Sequence, residues 1–294
     1  MSVNIPTHFV EEYTSTLQLL LQQTDSKFSG TVSGDTHVGD QAVPVDQIGA
    51  VEMSEVATRF EPKQRTDAPT DRRWVFPTSF DLQQLLDSVD KLKILSDPQG
   101  AYMQNALQAA NRKKDDVIID AFFGTAKTGR SGATSTTFPA GQQIAVTVGA
   151  AAATGLNYKK LREVSQLFLE NEVDLEANQL WMAIAPAQHD DLLGQVEVIS
   201  TDFNSTPVVV DGKVKQFMGI NLIVTNRLPV NGSSQRRCPV WIESGMHLGM
   251  WQDISATIRI AEELRNNPVE VYTFGTFGAT RLEEEKVAEV ICAE

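Results

Sequence analysis

The chain has 294 residues, 41% of them hydrophobic and 21% charged, and carries a net charge of −13. That length and balance suit one large domain or two ordinary ones with a buried core, and exclude wholesale disorder and an integral membrane protein. The acidic surface excludes tight binding of nucleic acid by the protein as a whole, because phosphates would be repelled, and leaves room only for a local basic face.

Cys238 and Cys292 are the only cysteines, far apart and without metal-ligand spacing, which suits a reducing compartment. The first charges are Glu11 and Glu12, and Leu19-Leu20-Leu21 is too short to span a bilayer. The expectation is therefore no signal peptide and folding in a cytoplasm.

Residues 7–23 read as an amphipathic arm helix, with Phe9, Tyr13, Leu17, Leu20 and Leu21 at helical spacing. Residues 26–80 are a different material, rich in Gly, Thr, Asp and Pro. Short β-like pieces appear at 27–32, 41–45 and 73–76. Positive charge gathers at Arg59, Lys63, Arg65, Arg72 and Arg73, and Trp74, Phe76 and Phe80 weigh against disorder. A stretch with so little to bury on its own is expected to be a long two-stranded loop completed by an adjacent molecule. Residues 81–89 read as a short helix through Leu82, Leu85, Leu86 and Val89.

Asp97-Pro98 opens the longest helical run, which stops at Gly124 and predicts a helix about 39 Å long. Its stripe is Met103, Leu107, Ala110, Ile118 and Ala121, with Lys114 filling the gap in the pattern; Arg112 and Lys113 belong to a polar collar. A polar turn region is expected up to Ala140, a strand at 144–148, and a small-residue linker at Gly149–Gly155 as the domain boundary.

From Asn157 the pattern becomes compact α/β. Asn157 caps a helix bearing Leu161, Val164, Leu167 and Phe168; 180–185 is a buried strand closed by Pro186, and a short helix carries Leu192 and Leu193. Asp211-Gly212 predicts a hairpin between 208–210 and 213–217. Further strands are expected at 220–225, 240–243, 246–251, 254–261, 269–274 and 287–292.

Catalytic chemistry is hard to place. Gly124–Ser131 matches a phosphate loop except for Arg130 where Lys is required, and it follows a helix instead of a strand, so it reads as a glycine C-cap and a turn. His8, His37, His189 and His247 are scattered without zinc spacing, and no Gly-x-Ser-x-Gly elbow occurs. Glu283, Glu284 and Glu285 read as a solvated turn or as ionic partners of a basic neighbour. No catalytic, cofactor or metal site is assigned.

An arm, a long loop, a long helix, an α/β domain and returning strands follow in that order. Together with Met218-Gly219-Ile220, Asn226-Arg227-Leu228-Pro229 and the run Phe277–Val287, this layout resembles the major capsid proteins of tailed bacteriophages.

The resemblance implies an α+β, HK97-like capsid fold: arm 1–25, extended β-hairpin loop 26–80, peripheral domain 81–149 with spine helix 98–123, α/β axial domain 150–240, and returning strands 241–294. It implies a self-assembling homo-oligomer of hexamers and pentamers that forms an icosahedral shell around packaged dsDNA in the virion, assembled in a bacterial cytoplasm. A scaffolding protein, a portal and a decoration protein are its expected partners; no membrane and no enzymatic activity are expected. Inter-subunit contacts are expected at Arg59, Lys63, Arg65, Arg72, Arg73, Trp74 and Glu283–Glu285, and a genome-facing patch at Arg112, Lys113 and Lys114. The alternatives are an encapsulin-like cargo compartment and a two-domain enzyme with residues 26–80 as a lid.

Overall fold

The computed structural model describes residues 22–40, 42–55, 65–86, 99–195, 214–262, 264–265 and 267–294. The arm helix, the Asp97-Pro98 cap and the Asp211-Gly212 turn lie outside the described residues. In chain order the elements begin with β1 (Ser33–Thr36), β2 (Ala42–Ile48), β3 (Thr70–Val75), β4 (Thr78–Leu86), α1 (Gln99–Phe123), β5 (Ala126–Thr128), β6 (Thr134–Thr136) and β7 (Gln143–Ile144). They continue as α2 (Tyr158–Glu170), β8 (Leu180–Ile184), α3 (Pro186–Leu193), β9 (Gln216–Phe217), β10 (Ile220–Val224), β11 (Arg236–Ile242), β12 (Met246–Ile260), β13 (Val269–Arg281) and β14 (Val287–Cys292).

The chain forms two compact units. One holds residues 1–26, 78–114 and 251–277; the other holds 27–77, 115–250 and 278–294. Helix α1 therefore contributes residues 99–114 to the first and 115–123 to the second.

In the first unit β13 lies between β4 and β12, pairing antiparallel with β4 from Val269↔Leu86 to Phe277↔Thr78. This corrects the helix expected at 81–89 over its described residues, 81–86. Leu82, Leu85 and Leu86 do fall at helical spacing, but Phe80, Leu82, Gln84 and Leu86 alternate inward and β13 supplies a complete ladder.

In the second unit the six-stranded sheet runs β7-β14-β11-β8-β10-β9. Its core includes Met182, Ile184, Val240, Trp241, Val287 and Val290, with α2 packing Leu161, Val164 and Phe168 inward. Asn157 caps α2 as its sequence predicts, its side chain accepting from Lys160 N at 2.9 Å. Pro186 opens α3 where its missing donor costs nothing. Cys238 and Cys292 are fully buried; hydrogen bonding to Cys292 and burial push the Cys238 thiol up, so both serve as small apolar groups.

The Gly149–Gly155 stretch is pinned in place. Thr154 N and Oγ1 each donate to Val146 O at 3.0 Å, and Asn157 Nδ2 donates to Val148 O at 2.8 Å. The fully buried Lys160 ammonium donates to Thr154 O, Gly155 O and Ile291 O at 2.8, 2.9 and 2.8 Å, and burial lowers its pKa. Three donors meeting three carbonyls satisfy the cation and hold the last strand to α2.

Two more expectations need correction. The polar region after Gly124 contains a hairpin, β5–β6, and of the 144–148 run only Ile144 is in a strand, β7. A second hairpin joins β9 to β10 through Met218 (φ +50) and Gly219 (φ +78), the two left-handed residues of a tight type I′ turn.

The start of the second unit is fixed by burial. Phe28 is fully buried, its ring 5.7 Å from Trp241 and 6.4 Å from Phe122. The buried Asp115 carboxylate accepts from Lys27 N at 3.1 Å and from Phe28 N at 3.4 Å. Phe28→Ala should therefore lower unfolding stability by about 3–5 kcal/mol. Denaturant titration of the full chain measures this; a loss below about 1 kcal/mol would contradict the packing described.

Candidate functional site

Among the described residues no three His, Cys, Asp or Glu side chains gather to hold a metal. The Gly124–Ser131 stretch enters the β5–β6 hairpin, with Gly129 (φ +82) and Gly132 (φ +71) in its turn, and no helix follows to face a phosphate. The candidate site is therefore a surface, and it begins at the sheet β2-β3-β5-β6.

In that sheet β2 and β3 pair antiparallel with a register shift between Ala42 and Val45. The base of this hairpin is tied down. Gln47 Nε2 donates to Leu282 O at 2.7 Å, and Trp74, 8% exposed, donates to Gly129 O at 2.6 Å. Gly278 permits close approach of the chain, since a Cβ there would stand 2.2 Å from Phe76 O. Outward from the base the side chains turn apolar and bare: Ile48 is 75% exposed, Val51 55% and Met53 100%.

The predicted contact residues divide. Arg59 and Lys63 lie outside the described residues. Arg65 is exposed beside Asp67 at 2.8 Å, and Arg72 forms a two-pronged pair with Asp46 at 2.5 and 3.2 Å. Arg73 and Glu284 meet each other within the subunit at 2.5 Å, both largely shielded from water. Glu283 pairs with Lys286 at 3.0 Å, and the Glu285 carbonyl accepts from Asn171 at 3.2 Å.

A residue to which sequence reasoning gave no role sits at the centre. Arg281 is fully buried and donates to Phe122 O at 2.7 Å, Gly124 O at 3.0 Å and Thr136 O at 3.5 Å, while its Nε lies 3.4 Å from Glu284. Its guanidinium also stacks 5.1 Å from the Phe138 ring. It thus satisfies orphan carbonyls at the end of α1, a favourable place for a cation on the helix dipole. Burial lowers its pKa and the Glu284 charge opposes that shift. The three-residue spacing of Arg281 and Glu284 was the available signal.

The basic collar of α1 is also placed. Arg112 donates to Gln22 Oε1 at 2.6 Å and Gln23 O at 3.4 Å. Lys113 is exposed, its ammonium 5.0 Å over the Phe80 ring at the rim of a cavity of about 340 Å³. Lys114 is 9% exposed, filling the apolar stripe as its spacing predicts, and lies 3.6 Å from Asp253.

Two scattered histidines meet in the second unit. His37 Nε2 and His247 Nε2 are 2.8 Å apart, where β1 runs parallel to β12 in the register Ser33↔His247 to Thr36↔Met250. His247 is 3% exposed. Burial, then the neighbouring His37, lowers its pKa to about 4, against a smaller opposing effect of Asp35.

Replacing Arg281 by Met should cost about 3–5 kcal/mol, because it strands the carbonyls at the end of α1 and removes one cation from Glu284. Lys at 281 should recover little of that loss, since one ammonium cannot reproduce the fork. Thermal unfolding of both variants checks this; full recovery by Lys would contradict the geometric role.

Solved structures share this fold. The capsid of cyanophage P-SCSP1u superposes with a TM-score of 0.75 at 16% identity, covering 98% of this chain and 94% of that one. The capsid of cyanophage Pam1 gives 0.75 at 10% identity, with 98% and 97% covered. Mycobacterium phage Che8 gives 0.71 at 11% identity, with 97% of each chain covered. No curated protein matches the chain in sequence. The family model for phage capsid protein matches residues 5–294. With an HK97-like capsid fold and that family match over residues 5–294, the chain belongs to the phage capsid protein family.

Proposed function

We propose that this capsid protein tiles an icosahedral head shell as hexamers and pentamers around packaged dsDNA, with the outer part of the 26–80 loop, beyond its buried ends at Phe28 and Val75, lying over a neighbouring copy. The observation that carries the reading is the β2–β3 hairpin. Its base is anchored by Gln47, Arg73 and Trp74, whereas Ile48, Val51 and Met53 beyond it are bare. An apolar stem that its own subunit leaves open gains stability by covering another copy. Many such modest contacts, repeated around a closed shell, multiply through effective concentration. The capsid family leaves the cargo-compartment and enzyme readings without support.

On this reading residues 1–25 are an arm, 81–149 a peripheral domain and 150–240 an axial domain that meets its copies at capsomer centres; 241–294 return through both. A scaffolding protein, a portal and a decoration protein complete the assembly. Lys113, exposed on α1, is the favoured genome contact, since Arg112 and Lys114 already hold partners within the chain. Arg65 and Arg72 remain on the outer part of the hairpin as charged contacts.

Ile48→Asp combined with Met53→Asp should leave subunit stability within about 0.5 kcal/mol, because both sites are exposed. The same change should reduce shell yield at least tenfold, about 1.4 kcal/mol per contact being enough. Sedimentation and electron microscopy of the purified variant read this. Normal yields of closed shells would overturn the assignment of this surface.

A further inference from the structure

We propose that His37 and His247 form a proton-operated latch that holds the start of the extended segment, strand β1, against β12 and releases it on acidification.

The hydrogen bonds dictate how the latch is wired. Ser33 Oγ donates to Met246 O at 2.7 Å, so its oxygen is left to accept from His247 Nδ1, 3.3 Å away. His247 then carries its proton on Nδ1 and presents a bare Nε2 lone pair. His37 Nε2, at 2.8 Å, must be the donor to it. The chain Met246 O, Ser33, His247, His37 is thus satisfied in one direction only.

With the His37 Nε2–H directed at it, a proton placed on His247 Nε2 sets two N–H groups face to face. The charged groups acting on the His247 ring are His37 and Asp35, both in the β1 segment. Burial and His37 hold its protonation down to about pH 4, and Asp35 favours it. The sign follows. His247 is neutral in the folded chain and titrates near 6.5 when unfolded, so the latch is at full strength above about pH 6.5 and weakens as pH falls toward 4.

What would be released is short and specific: the parallel ladder of Ser33–Thr36 with His247–Met250, and the bond from His37 N to Met250 O at 2.8 Å. β2 begins at Ala42, so the latch lies at the root of the hairpin, whose contact with a neighbouring copy rests on the function proposed above.

Hydrogen exchange across residues 33–37 of the full chain, measured from pH 7.5 to 4 with intrinsic-rate correction, tests the latch without reference to assembly. Wild type should lose protection at least tenfold there, while β11 and β14 stay protected. His37→Gln should abolish the transition, because an amide can turn its oxygen or its nitrogen to His247. Asp35→Asn should move it to lower pH. Equal pH dependence in wild type and His37→Gln, or an Asp35→Asn midpoint that is unmoved or higher, would overturn the latch. Shell morphology, followed in parallel by electron microscopy, reads the separate claim about neighbours.

Discussion

A buried cation constrains the second unit more than any other single group. Arg281 cannot be left unpaired away from water, since an isolated buried charge costs far more than a domain can spare. Its donors are spent on the carbonyls after α1, on Thr136 of the β5–β6 hairpin and on Glu284, which in turn takes Arg73 of β3. The end of the long helix, two hairpins and the turn before β14 therefore converge on one charge cluster. Position is what the cluster supplies, since replacing it by apolar groups of the same shape could leave stability unchanged. It sets where the β2–β3 hairpin leaves the body of the unit.

The long helix was legible because its signals are local: no proline after Pro98, good helix formers, and Gly124 at the stop, where its N–H bonds Asp120 O at 2.9 Å. The Asn157 cap and the Pro186 start were legible for the same reason. β4 was not. Leu82 and Leu86 satisfy both periods, and the strand wins through a partner 187 residues away in sequence, as in the Gln83–Glu270 bond. β12 reads as two pieces because Gln252 and Asp253 interrupt its apolar run, yet it is one strand of 15 residues. Arg281 carried no assigned role because burial is a tertiary fact. The two histidines, 210 positions apart, are brought together by a parallel pairing that no spacing rule encodes.

Function follows from what the subunit leaves open. A catalytic protein concentrates unusual groups in one cleft. Here Arg281, Lys160 and His247, whose pKa values burial lowers, are each occupied in holding strands and helix ends together. The uncovered features among the described residues include a bare apolar hairpin stem and an exposed lysine on α1, which suit repeated contacts with copies and with a polyanion. Rigid anchorage at the base and open side chains beyond it give a shell subunit reach without a deep pocket.

The central claim is that the outer part of the β2–β3 hairpin, within residues 26–80, completes a neighbouring copy. A cryo-electron microscopy reconstruction of the assembled particle, at a resolution that traces side chains, tests it most directly. The account predicts closed icosahedral shells in which Ile48, Val51 and Met53 of each subunit are covered by an adjacent one. A hairpin folded back onto its own subunit, with these side chains still open to solvent in the finished shell, would contradict it.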